Sequence, residues 1–212
     1  MAYKTDLTMM YATHDALRRD LDEIIRITAS DTDDPRVLLR GAVGWQLFKK
    51  FLHVHHSAED ELLWPAMRRA LVGHGAEEAL LDAMEVEHAR IDPLLTEIDA
   101  ALGDREKAPQ RLGELTETLA SALHGHLDHE EIEVLPLIDG TVSEQEWAAF
   151  GAETGKRVGD DLQRFFPWAL ESATPEIRSA VLGVLPPPMV HAYRDVWQPA
   201  YAELALWPTA AV

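Results

Sequence analysis

The 212-residue chain contains no cysteine. That absence excludes disulfide bonds, iron–sulfur clusters, thiolate zinc sites and cysteine nucleophiles. Basic residues are also scarce, because 19 Lys and Arg stand against 37 Asp and Glu and leave a net charge of −18. Such a chain lacks the basic surface that binds nucleic acid or anionic membranes. We therefore expect neither nucleic acid nor a membrane as a partner.

Long apolar runs are absent as well, and no uninterrupted run approaches the length that crosses a bilayer. The first ten residues lack a basic region followed by an apolar stretch, so no signal peptide is visible and a cytoplasmic location is expected. What the chain does contain, 47% hydrophobic and 26% charged residues, is typical of a soluble globular protein with one substantial core.

Apolar residues recur at the three- and four-residue spacing of amphipathic helices over most of the first 140 positions. This spacing predicts helices over Leu7 to Thr28, Pro35 to about Leu71, a stretch after Gly75 that ends near Gly103, and about Pro109 to Gly140. Four long helices with short connections predict an all-α fold, an antiparallel up-down four-helix bundle over residues 1–140.

Residues 141–212 differ in composition, with several glycines, prolines and tryptophans. We predict that they form a C-terminal helical annex packed on the bundle or on a partner subunit, because so much aromatic area is unlikely to stay in water. Ser143 to Glu146 reads as a capping box. Further helices are predicted from Thr174 to Leu185 and from Met189 to Leu206, separated by a stiff break at Pro186 to Pro188.

One pattern in the bundle segment occurs twice. Each copy has a His, a Glu four residues later, a second acid directly after that Glu, and a Pro ten residues after the His. One further His precedes each copy on the preceding predicted helix. The six residues concerned are His14, His55, Glu59, His88, His126 and Glu130. Spacing of i to i+4 places the His and Glu of each copy on one helix face, and counting along the helices puts all four histidines at one depth.

Glutamate and histidine on the inner stripe of a bundle are costly unless they are paired or liganded. Six such residues at one level therefore predict a metal site. Imidazole and carboxylate without thiolate suit iron, manganese or zinc. We expect two ions, with His14 and His55 on one, His88 and His126 on the other, and both glutamates able to bridge them.

The doubled motif resembles that of the hemerythrin-like (HHE cation-binding) family, over roughly residues 6 to 139. The resemblance implies a carboxylate-bridged, non-heme di-iron centre, with an oxo or hydroxo bridge as an option, that binds O2 or a related small molecule such as peroxide or NO. Ferritin-like bundles are the competing family. They use Glu-x-x-His on two helices, which only Glu85 to His88 matches here.

One position departs from the oxygen carriers of that family, which have a further His one turn before the third-helix ligand. Here that position is Met84. His56 could lean in to replace it, Glu85 is the other candidate, and otherwise solvent fills the position. We also expect Asp60 and His129 to orient ligands.

Three functions remain open from the sequence. The first is a di-iron oxidoreductase that activates O2, peroxide or NO, which an under-ligated ion would favour. The second is an O2- or iron-binding carrier or sensor without turnover, and the third a purely structural metal. Whether the chain is an enzyme is therefore left open, and a homodimer through the annex is a further expectation.

Overall fold

The computed structural model describes residues 5–29, 34–103 and 109–208, which contain no strand. Four long rods make up the bundle. The first rod is α1 (Thr8–Thr28), and the third is α5 (Gly75–Gly103). The second rod consists of α2 (Pro35–Gly41), α3 (Val43–Ala58), a π-helical turn (Glu59–Leu63) and α4 (Trp64–Ala70). The fourth consists of α6 (Pro109–His129), a second π-helical turn (Glu130–Val134), a 3-10 turn (Leu135–Leu137) and α7 (Ile138–Thr141). The all-α, hemerythrin-like bundle is thus confirmed.

The second rod is not the continuous helix that was predicted. Ala42 has an extended backbone (φ −71°, ψ 123°), which separates α2 from α3. Just after this break, the amide of Gly44 donates to the carbonyl of Leu206 at 2.9 Å, and the indole of Trp207 lies directly against Gly44. The C-terminal segment therefore covers the start of α3, at a place that only glycine leaves open.

Gly44→Ala is expected to destabilise the protein, since a Cβ at this position would overlap the Trp207 ring. Overpacking of this kind costs about 1–3 kcal/mol. The measurement is the free energy of urea-induced unfolding. Gly41→Ala is the matched control, because its Cβ would meet no atom within 4 Å. Equal stability of the two variants would show that Trp207 does not hold this position.

The annex is helical as expected. It comprises α8 (Glu144–Val158), a 3-10 turn (Gly159–Asp161), α9 (Leu162–Leu170), α10 (Pro175–Val184), α11 (Pro187–Ala192), a π-helical turn (Tyr193–Trp197) and α12 (Gln198–Ala202). The capping box is present, since the Ser143 hydroxyl accepts from the Glu146 amide and the Glu146 carboxylate accepts from the Ser143 amide.

Two predicted boundaries in the annex are shifted. The break lies at Leu185 and Pro186, whereas Pro187 and Pro188 already belong to α11, because proline fits the first turn of a helix, where no amide donor is needed. The last helix ends at Ala202, not Leu206, since the chain must turn there to reach Gly44.

The annex shares its core with the bundle. Helix α8 packs on α3, and α9 and α10 pack on α1. Trp168 is 1% exposed, its ring lies 4.8 Å from that of Phe51, and its Nε1–H donates to the Asp20 carboxylate at 2.7 Å. The division into two domains at residue 140 and a dimer through the annex stay predictions. No helix in the described ranges combines the length and apolarity needed to cross a membrane.

Two apolar clusters fill the bundle, and one polar layer separates them. In α1 the smaller cluster ends at Met10, and the larger one includes Ala12 and Ala16, which flank His14. In α5 the smaller cluster ends at Met84 and the larger begins at Ile91, with His88 between them. In the second and fourth rods the order along the chain is reversed, so that the larger cluster comes first and the smaller one last. The polar layer therefore has packed apolar side chains on both sides along the bundle axis.

Candidate metal centre

Seven titratable side chains fill this polar layer, and none is more than 7% exposed. The structure brings together all six residues that the sequence indicated, and with them His56, which the sequence offered as a candidate. The seven are His14, His55, His56, Glu59, His88, His126 and Glu130.

The first group in the layer joins α1, α3 and both π-helical turns. The Nε2 atoms of His14 and His55 are 3.0 Å apart. His14 Nε2 lies 3.3 Å from a Glu130 oxygen, and His55 Nδ1 lies 3.2 Å from a Glu59 oxygen. Each of these four residues offers one donor atom, and the four atoms lie within 4.8 Å of one another.

The second group consists of three histidines. His88 and His126 approach through their Nε2 atoms at 3.1 Å. The ring of His56 stacks on His88, with centroids 3.9 Å apart and 12° between the planes. Each of the three again offers a donor atom within 4.8 Å of the others. The histidines thus lie together in the two pairs that the sequence suggested, and His56 joins the second pair.

Both glutamates lie between the two groups. Glu59 is 3.2 Å from His55 in the first group and 3.7 Å from His88 in the second. Glu130 is 3.3 Å from His14 and 3.9 Å from His126. Each carboxylate can therefore reach donors of both groups, which is the placement that a bridging ligand requires.

Of the two candidates for the position that Met84 leaves without a donor, one lies in the polar layer and the other does not. Met84 is fully buried in the smaller apolar cluster. Glu85, the second candidate, points outward, where its half-exposed carboxylate pairs with Arg68 at 3.0 Å. His56 is the residue that turns inward, at 3% exposure. The layer therefore holds five histidines and two glutamates.

Three further carboxylates contact the outer nitrogens of these histidines. The Nδ1 atoms of His14, His88 and His126 lie 2.8, 2.8 and 3.0 Å from Glu131, Asp60 and Glu87, respectively. Such partners fix the ring so that the other nitrogen faces inward. Asp60 thus lies where it was expected. His129 reaches the layer only through Glu87, at 2.9 Å.

Sequence reasoning missed the roles of Glu87 and Glu131. A signal for Glu131 was available in the duplicated acid that follows each motif Glu. In the fold, each of these two acids pairs with the lone His of the opposite hairpin, Asp60 with His88 and Glu131 with His14. Glu87 has no such signal, since the residue before the other lone His is Thr13.

Each motif proline directly follows a local change in helix geometry. Glu59 and Glu130 each begin a π-helical turn, closed by i to i+5 hydrogen bonds from Trp64 and Leu135. In both copies the next residue is the motif proline, which has no amide proton to continue the α-helical ladder. Such widened turns are frequent at functional sites. Pro93, by contrast, lies within an unbroken α5.

Several buried polar atoms of the layer have no hydrogen-bond partner among the described residues. None of the four oxygens of Glu59 and Glu130, and neither ring nitrogen of His56, has a hydrogen-bond partner within the described part of the chain. Leaving buried polar atoms unsatisfied is costly. Oxygen and imidazole nitrogen are donors that suit iron, manganese or zinc. The seven residues therefore fit a cation-binding site.

Electrostatics point the same way. Burial, together with Glu130 and Asp60, raises the pKa of Glu59 well above its usual range. Burial disfavours charge on His14 as well, but Glu130 and Glu131 outweigh it and raise the pKa of His14 to about 9. Burial and the neighbouring histidines hold the pKa of His55 and His56 well below the usual value. Without a cation, these shifts favour protons on His14 and on Glu59.

The family model for the hemerythrin HHE cation-binding domain matches residues 5–138. The chain belongs to this family. The match covers every residue of the polar layer and all four rods of the bundle up to Ile138.

Among curated proteins, this hemerythrin-family chain is similar to two Arabidopsis thaliana proteins, both described as BRUTUS-like zinc finger proteins. One is 27% identical over 191 residues, covering 84% of this chain and 15% of the relative. The other is 23% identical over 198 residues, covering 84% and 16%. The chain thus spans about a sixth of the length of these relatives. No solved structure matches it significantly.

Proposed function

We propose that the polar layer holds two iron ions and that the protein is a di-iron oxidoreductase acting on O2 or a related small molecule, such as peroxide or NO. His14 and His55 would bind one ion and His56, His88 and His126 the other, with Glu59 and Glu130 bridging both. The observation that carries this proposal is the pair of glutamates. Each lies within 4 Å of both histidine groups, and neither has a hydrogen-bond partner among the residues that the structure describes.

The two groups differ in the number of imidazoles, and this difference suggests where a small molecule would bind. The His14 group supplies two imidazoles, whereas the other supplies three. With both glutamates shared between the ions, the ion at His14 and His55 would have fewer protein ligands and more room for an exogenous ligand. A pair of iron ions supplies electrons and a binding position for O2; the apolar clusters around the layer exclude bulk water, and the outer carboxylates hold the imidazoles in place.

A carrier or sensor is the alternative function. Turnover is favoured by a cavity beside His55 that is large enough for a second reactant. The test is to load the protein with Fe²⁺ without air, determine iron per chain, and then supply O2 with a reductant. Steady O2 consumption supports the oxidoreductase, and a single stoichiometric uptake supports the carrier or sensor. Less than one iron per chain after full loading would reject the di-iron centre.

Loading the metal is expected to release protons. At pH 7 the metal-free layer keeps a proton on His14, whose pKa is raised to about 9, and the raised pKa of Glu59 favours its protonated form. Metal ligands bind without those protons. At least about one proton should therefore leave per chain, and the apparent affinity should rise between pH 6 and pH 8. Calorimetric titration in buffers of different ionisation enthalpy measures this number; a binding heat that is independent of the buffer would contradict it.

A further inference from the structure

A cavity of about 400 Å³ lies between the bundle and the annex. Its walls come from α1, α3, α8, α9 and α10. Apolar side chains supply most of the lining, among them Met9, Phe51, Trp147, Phe150, Phe165 and Val181. His55, which belongs to the first donor group of the metal centre, forms part of the same wall. The cavity therefore reaches the centre through one of its own residues.

Polar groups in the cavity are few, and the best placed ones are already satisfied. The hydroxyl of Thr13 donates to the carbonyl of Met9 at 2.9 Å, and that of Thr154 donates to the carbonyl of Phe150 at 2.8 Å. Among the described lining residues, the titratable ones are His55 and Asp6, and Asp6 is exposed. A charged ligand, or one that needs several hydrogen bonds, would therefore find few partners deep in the cavity.

Two glycines keep the cavity open. Gly151 and Gly155 lie one turn apart on α8 and both line the cavity. A Cβ at either position would meet no atom within 4 Å, so packing against the bundle does not require glycine there. Glycine inside a helix weakens it relative to residues with a side chain. These two positions therefore leave free a volume that side chains could have filled.

We propose that this cavity binds a neutral, predominantly apolar organic molecule and holds it against His55. The proposal rests on the function proposed above and names the class of organic substrate for that centre. The volume lies within the range of about 300–1,000 Å³ that is typical of small-molecule sites, and so does the apolar lining with few polar groups. An anionic molecule of the same shape is disfavoured, because the chain carries a net charge of −18 and the lining includes no Lys or Arg.

The first experiment uses a matched pair of probes. N-phenyl-1-naphthylamine is neutral, and 8-anilino-1-naphthalenesulfonate is the same framework with a sulfonate. Fluorescence titration of the metal-loaded protein should show the neutral probe binding at least about tenfold more tightly, equivalent to about 1.4 kcal/mol. Equal affinity for the two probes would overturn the assignment to neutral ligands.

The second experiment fills the cavity. Gly155→Leu should weaken binding of the neutral probe at least about tenfold, because the new side chain occupies the space. Ala152→Leu is the matched control on an exposed position of the same helix and should change the affinity less than twofold. Leucine favours helix more than glycine does, so the variant should fold. Should Gly155→Leu nevertheless fail to fold, Gly151→Leu makes the same test. Unchanged binding in a folded, cavity-filled variant would overturn the proposal.

The third experiment tests proximity to the centre and separates the two proposals. Proton signals of the bound neutral probe should broaden in the Co²⁺-loaded protein but not in the Zn²⁺-loaded protein, since only Co²⁺ is paramagnetic. Sharp signals in both forms would place the probe away from His55. Metal content is determined in each sample. If the protein retains less than one metal per chain, the di-iron proposal fails; if it retains two while the cavity-filled variant still binds the probe, the cavity proposal fails.

Discussion

Glu59→Gln is expected to lose metal binding while leaving the metal-free fold intact. Burial and the neighbouring carboxylates already raise the pKa of Glu59, so the protonated acid of the metal-free state and a glutamine resemble each other in shape and charge. The variant should therefore unfold at the same denaturant concentration as the metal-free wild type. Its affinity for Fe²⁺ should fall by at least about 100-fold. Removing a side chain that only hydrogen-bonds a metal ligand already lowers metal affinity by up to about 100-fold, and the loss of a ligand itself should cost no less.

Glu61→Gln is the matched control for this variant. It lies in the same π-helical turn, but its carboxylate pairs with Arg157 at the surface, where an ion pair contributes about 0–1 kcal/mol. It should keep its full metal content. The stabilisation that metal confers, measured as the shift of the unfolding midpoint on loading, should be present in Glu61→Gln and absent in Glu59→Gln. Full loading of Glu59→Gln would show that this carboxylate is not a ligand.

Trp168→Ala is expected to cause the largest loss of stability of any change in the annex. Trp168 is almost fully buried, touches Phe51 of α3 and donates to Asp20 of α1. Truncating a buried tryptophan costs about 3–5 kcal/mol, a large part of the roughly 5–15 kcal/mol that stabilises a domain. Urea-induced unfolding of the metal-loaded protein, followed by circular dichroism, measures the effect. A loss below about 1 kcal/mol, the scale of a single hydrogen bond, would mean that the annex is only loosely attached.

Trp168→Phe separates packing from hydrogen bonding in this result. It keeps most of the ring volume but removes the hydrogen-bond donor to the Asp20 carboxylate. Burial raises the pKa of Asp20 to about 6, although Arg19 and Trp168 act in the opposite direction. Leaving that carboxylate without the indole should cost about 1–3 kcal/mol. In an Asp20→Asn background the same substitution should cost less, because no buried charge then loses a donor.

The sequence by itself determined the four rods of the bundle, apart from the break at Ala42, and six residues of the polar layer. Both follow from local periodicity: the rise and turn of a helix are fixed, so the motif His and Glu share a face wherever the helix forms. The duplication then places both copies at one depth. Burial of Glu59 and Glu130 could be expected for the same reason, since each lies on an otherwise apolar stripe.

Only the tertiary structure decided the rest, because it depends on what neighbouring helices leave free. His56 follows His55 in the chain and starts a different helix face, so its inward position depends on the space beside His88. The break at Ala42 lies beside contacts that Gly44 makes with Leu206 and Trp207, more than 160 residues away. The cavity beside His55 arises where α8, α9 and α10 pack on α1 and α3 without filling the space. Periodicity along one helix carries no information about such gaps, since they are properties of the packing between helices.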